Sequence, residues 1–580
     1  MMTYAKKRAA IFILLFVLVL ALLGVTFYKA EYNIYGPILE QISASSDITA
    51  SGNNPLILYP WHPTSPKLIL PIDYRVPAVP GDSISIRACP GQFESATFVM
   101  SAQENLSNIV ITASDLQSSS GDRLSSDNLD IRLVKVWYKA GKDIYFERGA
   151  HVLVPELLLK DDSLVKVDYT TQTNYLRVTI NGTQQYVDIS SPDATVPVNA
   201  EVYDASVLQP FSMNTGENKQ VWITVHIPDT AQAGDYHGTI TITPEGEPAE
   251  TMNFTVTVLP FSLEPAPVEY ALYYLGIISS NPTPVLSSDL KTPAQYSEEL
   301  QDMKDHGISY PTLNDYNPDT VGTELQLRNQ SGLPTDHIYL TGVGTRNSTD
   351  PVKLTYLGNE VQQWESITAQ YGFNDIYLYG IDEGGDGVLQ SEIPAWNVVH
   401  QNGGKVFVAV SENPDAVDIV GNVLDTAIYA NALNSTQAAE WHSDGEKLFS
   451  YSNPQSGNAN PLLYRNNYGF ALWNAGYDGE MDFAYQWQTG FIWNNFDDPD
   501  RNYQDEVFAY PTSTGVIDTI QWEGFHEGVD DTRYVATLLK YSRDPASVKA
   551  MISDSLSNNE DPAQIRDDVI NQTLLLYPGS

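Results

Sequence analysis

The chain has 580 residues, 31 of them Lys or Arg and 72 Asp or Glu, for a formal charge of −41. Charged residues are only 18% of the total, below the roughly 25% usual for soluble domains; the imbalance is a shortage of bases, which excludes nucleic acid as a partner. With 42% hydrophobic and 11% aromatic residues, the chain can bury the cores of roughly two to four domains, and global disorder is excluded.

The first element in chain order is an apolar run over 9–27, preceded by Lys6, Lys7 and Arg8. As a helix it reaches about 28 Å, enough to span a bilayer core. A secretory signal is the competing reading, but its apolar region is usually about 7–15 residues and ends in small residues. This run ends in Val25-Thr26-Phe27-Tyr28-Lys29. The expectation is therefore a cytoplasmic tip and signal anchor over 1–29. The basic flank keeps the amino terminus inside and the bulk of the chain outside the cell membrane, or secreted if the segment is cleaved. Seven sequons, at Asn105, Asn181, Asn253, Asn329, Asn347, Asn434 and Asn571, agree with an extracellular location. Cys89 is alone, so no intramolecular disulfide forms, and a buried thiol is expected.

Ser, Asn, Pro and Gly over 30–66 read as a stalk. Over 67–265, period-two alternation in short runs, such as Ile131-Arg132-Leu133-Val134-Lys135-Val136-Trp137, predicts an antiparallel β-sandwich. Over 266–544 strand-like runs alternate with helix-length stretches. Strands are expected at 270–278, 309–314, 337–343, 375–382, 405–410, 426–430, 447–451 and 480–485, with helices at 293–306, 357–371 and 435–442 among them. Eight units without a Gly-rich phosphate loop favour a (β/α)₈ barrel over a doubly wound sheet. The remainder, 545–580, reads as a tail of two surface helices.

Chemistry in such barrels sits at the carboxyl ends of the strands. The fourth expected strand ends in Asp382-Glu383-Gly384-Gly385, and the two glycines would let the backbone bend so that both acids converge on the mouth. Two carboxyls that close repel when both are ionised, which favours one keeping its proton; that combination suits cleavage of a glycosidic bond. Aromatic residues with amide and basic neighbours crowd the last third of the barrel. Tyr451, Asn453, Arg465, Trp473, Tyr485, Trp487 and Trp522 are the candidates for binding a sugar, whose C–H faces suit aromatic rings. Core packing must claim most of these aromatics. Nine histidines without H-E-x-x-H argue against a metalloprotease, and Tyr503 replaces the glycine that a calcium loop needs after Asp498-x-Asp500-x-Asn502. No metal site and no cofactor is expected.

Taken in order, Cys89-Pro90-Gly91-Gln92-Phe93-Glu94-Ser95-Ala96-Thr97-Phe98, the Ala233-Gly234-Asp235-Tyr236-His237-Gly238 turn, Val258-Leu259-Pro260-Phe261, Met303-Lys304-Asp305-His306-Gly307-Ile308, Asp382-Glu383, Tyr477-Asp478-Gly479 and the 523–534 segment resemble glycoside hydrolase family 123, the β-N-acetylgalactosaminidase-like enzymes. The resemblance covers about 68–541. It implies a sandwich before a barrel, and retention of configuration through the substrate's own acetamido group. Carried over, Glu383 is the general acid and base, and Asp382 orients the acetamido group. One departure is His526, where relatives often carry Arg. The implied activity is hydrolysis of an N-acetylhexosamine-containing glycan. The rival reading is a surface glycoprotein that binds glycans on the same scaffold without cleaving them.

Overall fold

In the computed structural model, which describes residues 54–578 except 142–149, 280–285, 346–348, 412, 431, 489 and 498–503, alternation builds the amino-terminal half as expected. The expected anchor over 9–27, Asn347 and the Asp498–Asn502 run lie outside the described residues. Among the described residues, no helix is long and apolar enough to cross a membrane.

One sheet has the order Leu56–Trp61, Phe93–Ala102, Asn218–His226, Leu129–Ala140, His151–Leu159, antiparallel throughout. The second has the order Phe211–Met213, Leu106–Ala113, Gly234–Thr243, Glu250–Val258, Ser83–Ala88. Phe98, Met100, Val221 and Ile223 from the first pack against Ile109, Ile240, Met252 and Phe254 from the second in one core. At about 1.5–3 kcal/mol for each large apolar side chain buried, this core holds the sandwich together without a disulfide. Two expectations are corrected. The last pair of the second sheet, Asn253–Val258 with Ser83–Ala88, is parallel. Leu56–Trp61, read as stalk, is an edge strand, because Leu56 and Leu58 alternate inward against the core.

The barrel strands are β1 (Glu269–Leu272), β2 (Tyr310–Pro311), β3 (His337–Gly344), β4 (Asp375–Tyr379), β5 (Lys405–Ala409), β6 (Thr426–Ala430), β7 (Lys447–Tyr451) and β8 (Gly479–Asp482). They run parallel in the order β2-β1-β8-β7-β6-β5-β4-β3, and a Leu313–Leu340 bridge joins the two edges. All eight coincide with expected strands. Helices begin where Thr or Asp precedes Pro. Thr292 forms a capping box with Gln295 at α1 (Pro293–Asp305), and Asp350 caps α2 (Pro351–Ala369). α3 (Asp386–Gln401) and α4 (Pro461–Tyr468) follow β4 and β7. Inside the barrel, Tyr339, Tyr377, Phe407 and Phe449 fill the space, while Ile376 and Leu378 face the helices. Near the amino ends of the strands, Glu269 accepts from His337 at 3.0 Å, Tyr339 at 2.6 Å and Lys447 at 3.2 Å, a polar plug that closes that end.

α5 (Ile520–Tyr541) joins the two halves: 17 of its 22 residues are buried. Its Gly524 crosses α4 so closely that a Cβ would stand 2.3 Å from the Pro461 carbonyl oxygen. Glu523 accepts from Ser95 of the sandwich at 2.9 Å, and Asp530 from Gln92 at 2.8 Å. α6 (Pro545–Ser557) and α7 (Pro562–Leu576) are more than surface helices. Val548, Ile552, Ile565 and Val569 pack with Leu259, Phe261 and Tyr534, and Arg566 reaches Asp531 at 2.5 Å, Glu527 at 2.6 Å and Glu94 at 3.2 Å. Cys89 lies in the same cluster, its thiol pushed up to about 12 by burial, which keeps it unreactive. From Pro55 onward the chain is one compact unit.

Candidate active site

Tyr377 and Tyr379 alternate into the barrel along β4, and Gly380 follows. A Cβ on Gly380 would lie 2.3 Å from a Val408 methyl, so only glycine lets the chain pass β5 here. The sharp turn falls on Glu383 itself, at φ +47, with its N–H donating to the Ala409 carbonyl at 2.9 Å. The sequence placed this bend on Gly384 and Gly385; Gly385 instead starts α3 at φ −69. Ser411 beyond β5 and Ser452 beyond β7 are also left-handed, at φ +53 and +52. Each such residue costs on the order of 1 kcal/mol, and strain of this kind gathers where side chains must be aimed.

Asp382 and Glu383 are both exposed at the carboxyl end of the barrel. Among the described residues neither is paired with a base; tyrosines hold them instead. Tyr379 donates to Asp382 Oδ1 at 2.6 Å and receives the Tyr273 hydroxyl at 3.1 Å. Tyr451, the last residue of β7, donates to Glu383 Oε1. Burial first, and the adjacent carboxylates second, push the Tyr451 phenol far above its ordinary value; burial and its neighbours do the same for Tyr379 and Tyr273. All three therefore remain donors at any working pH. Tyr273 meets Phe483 edge-on at 5.5 Å between centroids, and Phe483 meets Trp487 at 5.8 Å, so an aromatic wall flanks the acids. Beneath the rim, Asp482 is buried and accepts from the Ser452 N–H at 3.1 Å; burial pushes its carboxyl well above the usual range.

Of the candidate sugar-binding residues, Tyr451 and Trp487 are brought to this wall. Asn453 stands in the loop after β7, its side-chain oxygen accepting from Asn467 at 3.2 Å. The others point elsewhere. Arg465 is buried in α4 against Asp531 at 2.9 Å. Trp473 packs near α6, with the Lys549 ammonium 5.9 Å from its ring. Tyr485 and Trp522 lie outside the sheet in the helix layer, donating to Asp302 at 2.7 and 3.1 Å. Tyr273, Tyr379 and Phe483 were not among the candidates. Their signal was register: each falls at or just past the end of a strand, at an inward position.

A carboxyl exposed beside a second carboxylate, each fixed by a phenol, can donate and recover a proton while its neighbour orients a polar group of a ligand. No family model and no curated protein sequence matches the chain. Among solved structures, a family 123 glycoside hydrolase from Clostridium perfringens, studied for hydrolysis of glycolipid glycans, matches with a TM-score of 0.65 at 12% identity, over 90% of this chain and 99% of that one. A GH5 xyloglucanase from Bacteroides ovatus matches 77% of this chain and 98% of its own at 10% identity, but its TM-score of 0.25 carries no weight. The likeness at 0.65 takes in sandwich and barrel together, and gives this chain the fold of a family 123 glycoside hydrolase.

Proposed function

We propose that the protein is a retaining glycoside hydrolase of the substrate-assisted type, acting on N-acetylhexosamine linkages, β-N-acetylgalactosamine foremost, and held outside a cell membrane by the apolar run over 9–27. Glu383 protonates the glycosidic oxygen and then deprotonates the incoming water. Asp382 accepts the acetamido N–H, aiming the acetamido oxygen at the anomeric carbon, so the chain needs no nucleophile of its own. Tyr379 and Tyr451 each occupy one carboxylate oxygen and fix the two acids in rotation.

The observation that carries this reading is the tyrosine-held Asp382–Glu383 pair at the exit of β4, open to solvent beside the wall of Tyr273, Phe483 and Trp487. The fold likeness supports it. The test is turnover of aryl N-acetyl-β-galactosaminide and glucosaminide, added outside intact cells and to purified protein. Glu383→Gln and Asp382→Asn should each lower kcat about a thousandfold, the scale of a lost general acid or of lost positioning. Glycosides lacking the 2-acetamido group should be almost inert. Unchanged rates in both variants would refute the assignment.

A further inference from the structure

Away from the barrel mouth, a cavity of about 310 Å³ opens at the seam between sandwich and barrel. Asp127, Asp130, Arg132, Thr224 and His226 line it from the sandwich; α1, the 516–518 strand and α5 line the other side with Asp302, Asp305, His306, Asp518, Glu523 and His526. Arg132 is the one permanently charged base among these lining residues, against six carboxylates.

Three of these side chains converge. One donor atom from each of Asp302, His306 and Asp518 lies within 4.8 Å of the other two. Zinc bonds of about 2.0–2.2 Å hold donors at most about 4 Å apart, so a small side-chain rotation closes the set. Each side chain is also fixed from behind, as metal ligands are. Asp302 Oδ2 receives the Tyr485 hydroxyl and the Trp522 indole N–H. His306 Nδ1 lies 2.9 Å from the Asp302 backbone oxygen and 3.2 Å from Asp302 Oδ1, so a bound ion would take the place of the proton that draws these two side chains together. Arg132 holds Asp518 Oδ2.

One buried atom in the cavity wall lacks what burial normally demands. Asp518 is 6% exposed, and among the described residues no N–H or hydroxyl donor reaches its Oδ1. A buried carboxylate oxygen left in this state points to a missing partner. His526 lines the same cavity, with an Asp530 carboxylate oxygen 3.7 Å from its Nε2.

We propose that Asp302, His306 and Asp518 bind one divalent transition-metal ion of the zinc type, which clips the end of α1 to the strand entering α5 at the sandwich–barrel seam. The imidazole selects against calcium and magnesium, which prefer all-oxygen shells. The cavity has room for waters to complete the coordination, with His526 and Glu523 in the wall to receive them.

The test uses full-length protein stripped with a chelator and dialysed against zinc chloride. The parent should retain about one zinc per chain. His306→Gln and Asp518→Asn should each weaken calorimetric binding tenfold or more, whereas Asp127→Asn, an acid of the same cavity outside the trio, should bind as the parent does. Cobalt loaded into the parent should show absorption bands unlike those of the hexaaqua ion, a readout that stands even if a variant fails to fold. Loss of retention in the parent, equal binding in both ligand variants, or a hexaaqua-like cobalt spectrum would each overturn the site. Glu383→Gln should bind zinc unchanged, so the outcome is separate from that of the hydrolysis assay.

Discussion

On the proposed mechanism, removal of the Tyr451 hydroxyl should separate binding from chemistry. Among the described residues it is the side chain that donates to Glu383, and the ring stays packed with Phe449 and Tyr273 in the barrel interior when the oxygen is gone. A hydrogen bond to a charged group is worth about 1.5–3 kcal/mol, so Tyr451→Phe should lower kcat about ten- to a hundredfold. KM should change little, as initial-rate kinetics would show. At this scale the acids were legible because Asp382 and Glu383 are adjacent in sequence and followed by two glycines. Tyr273 and Tyr379 were not, because only strand register tells an inward tyrosine from an outward one. Trp522 and Tyr485 were misread for a related reason: the sheet has apolar side chains on both faces, and aromatic crowding in sequence does not say which face a ring joins. Arg465 looked available because its partner, Asp531, lies 66 residues further on.

At the scale of elements, α7 fastens the halves through Arg566, 5% exposed and paired with Glu94 of the sandwich and with Glu527 and Asp531 of α5. Breaking a buried pair by removing one partner typically costs about 3–5 kcal/mol, because the other charges stay buried and uncompensated. Arg566→Met should lose stability of that order in urea unfolding, whereas replacement of the exposed Lys540, which pairs with Glu264 at the surface, should change little. Existence and order of the eight strands were readable from hydrophobic period and turn residues. The role of α7 was not, since nothing local distinguishes an arginine bound for a buried network from one left in solvent.

Across the whole molecule the acid excess reaches into the interior. Glu480 and Asp482 are both fully buried on β8, and burial pushes both carboxyls well above their usual range. A raised carboxyl pKa means that the folded state keeps a proton which the unfolded chain releases above about pH 4.5. The contribution of that group to stability therefore falls as pH rises through that range. Glu480→Gln fixes the neutral form. Its melting temperature relative to the parent should move in the variant's favour between pH 5 and pH 8, and an unchanged difference would show that Glu480 is ionised in the fold. α5 carries a further consequence, for biosynthesis. This helix supplies the surface on which both halves close, yet it follows the sandwich and all eight barrel strands in the chain, so on the ribosome they emerge before it. Their facing walls must wait, bare, until translation has passed Tyr541.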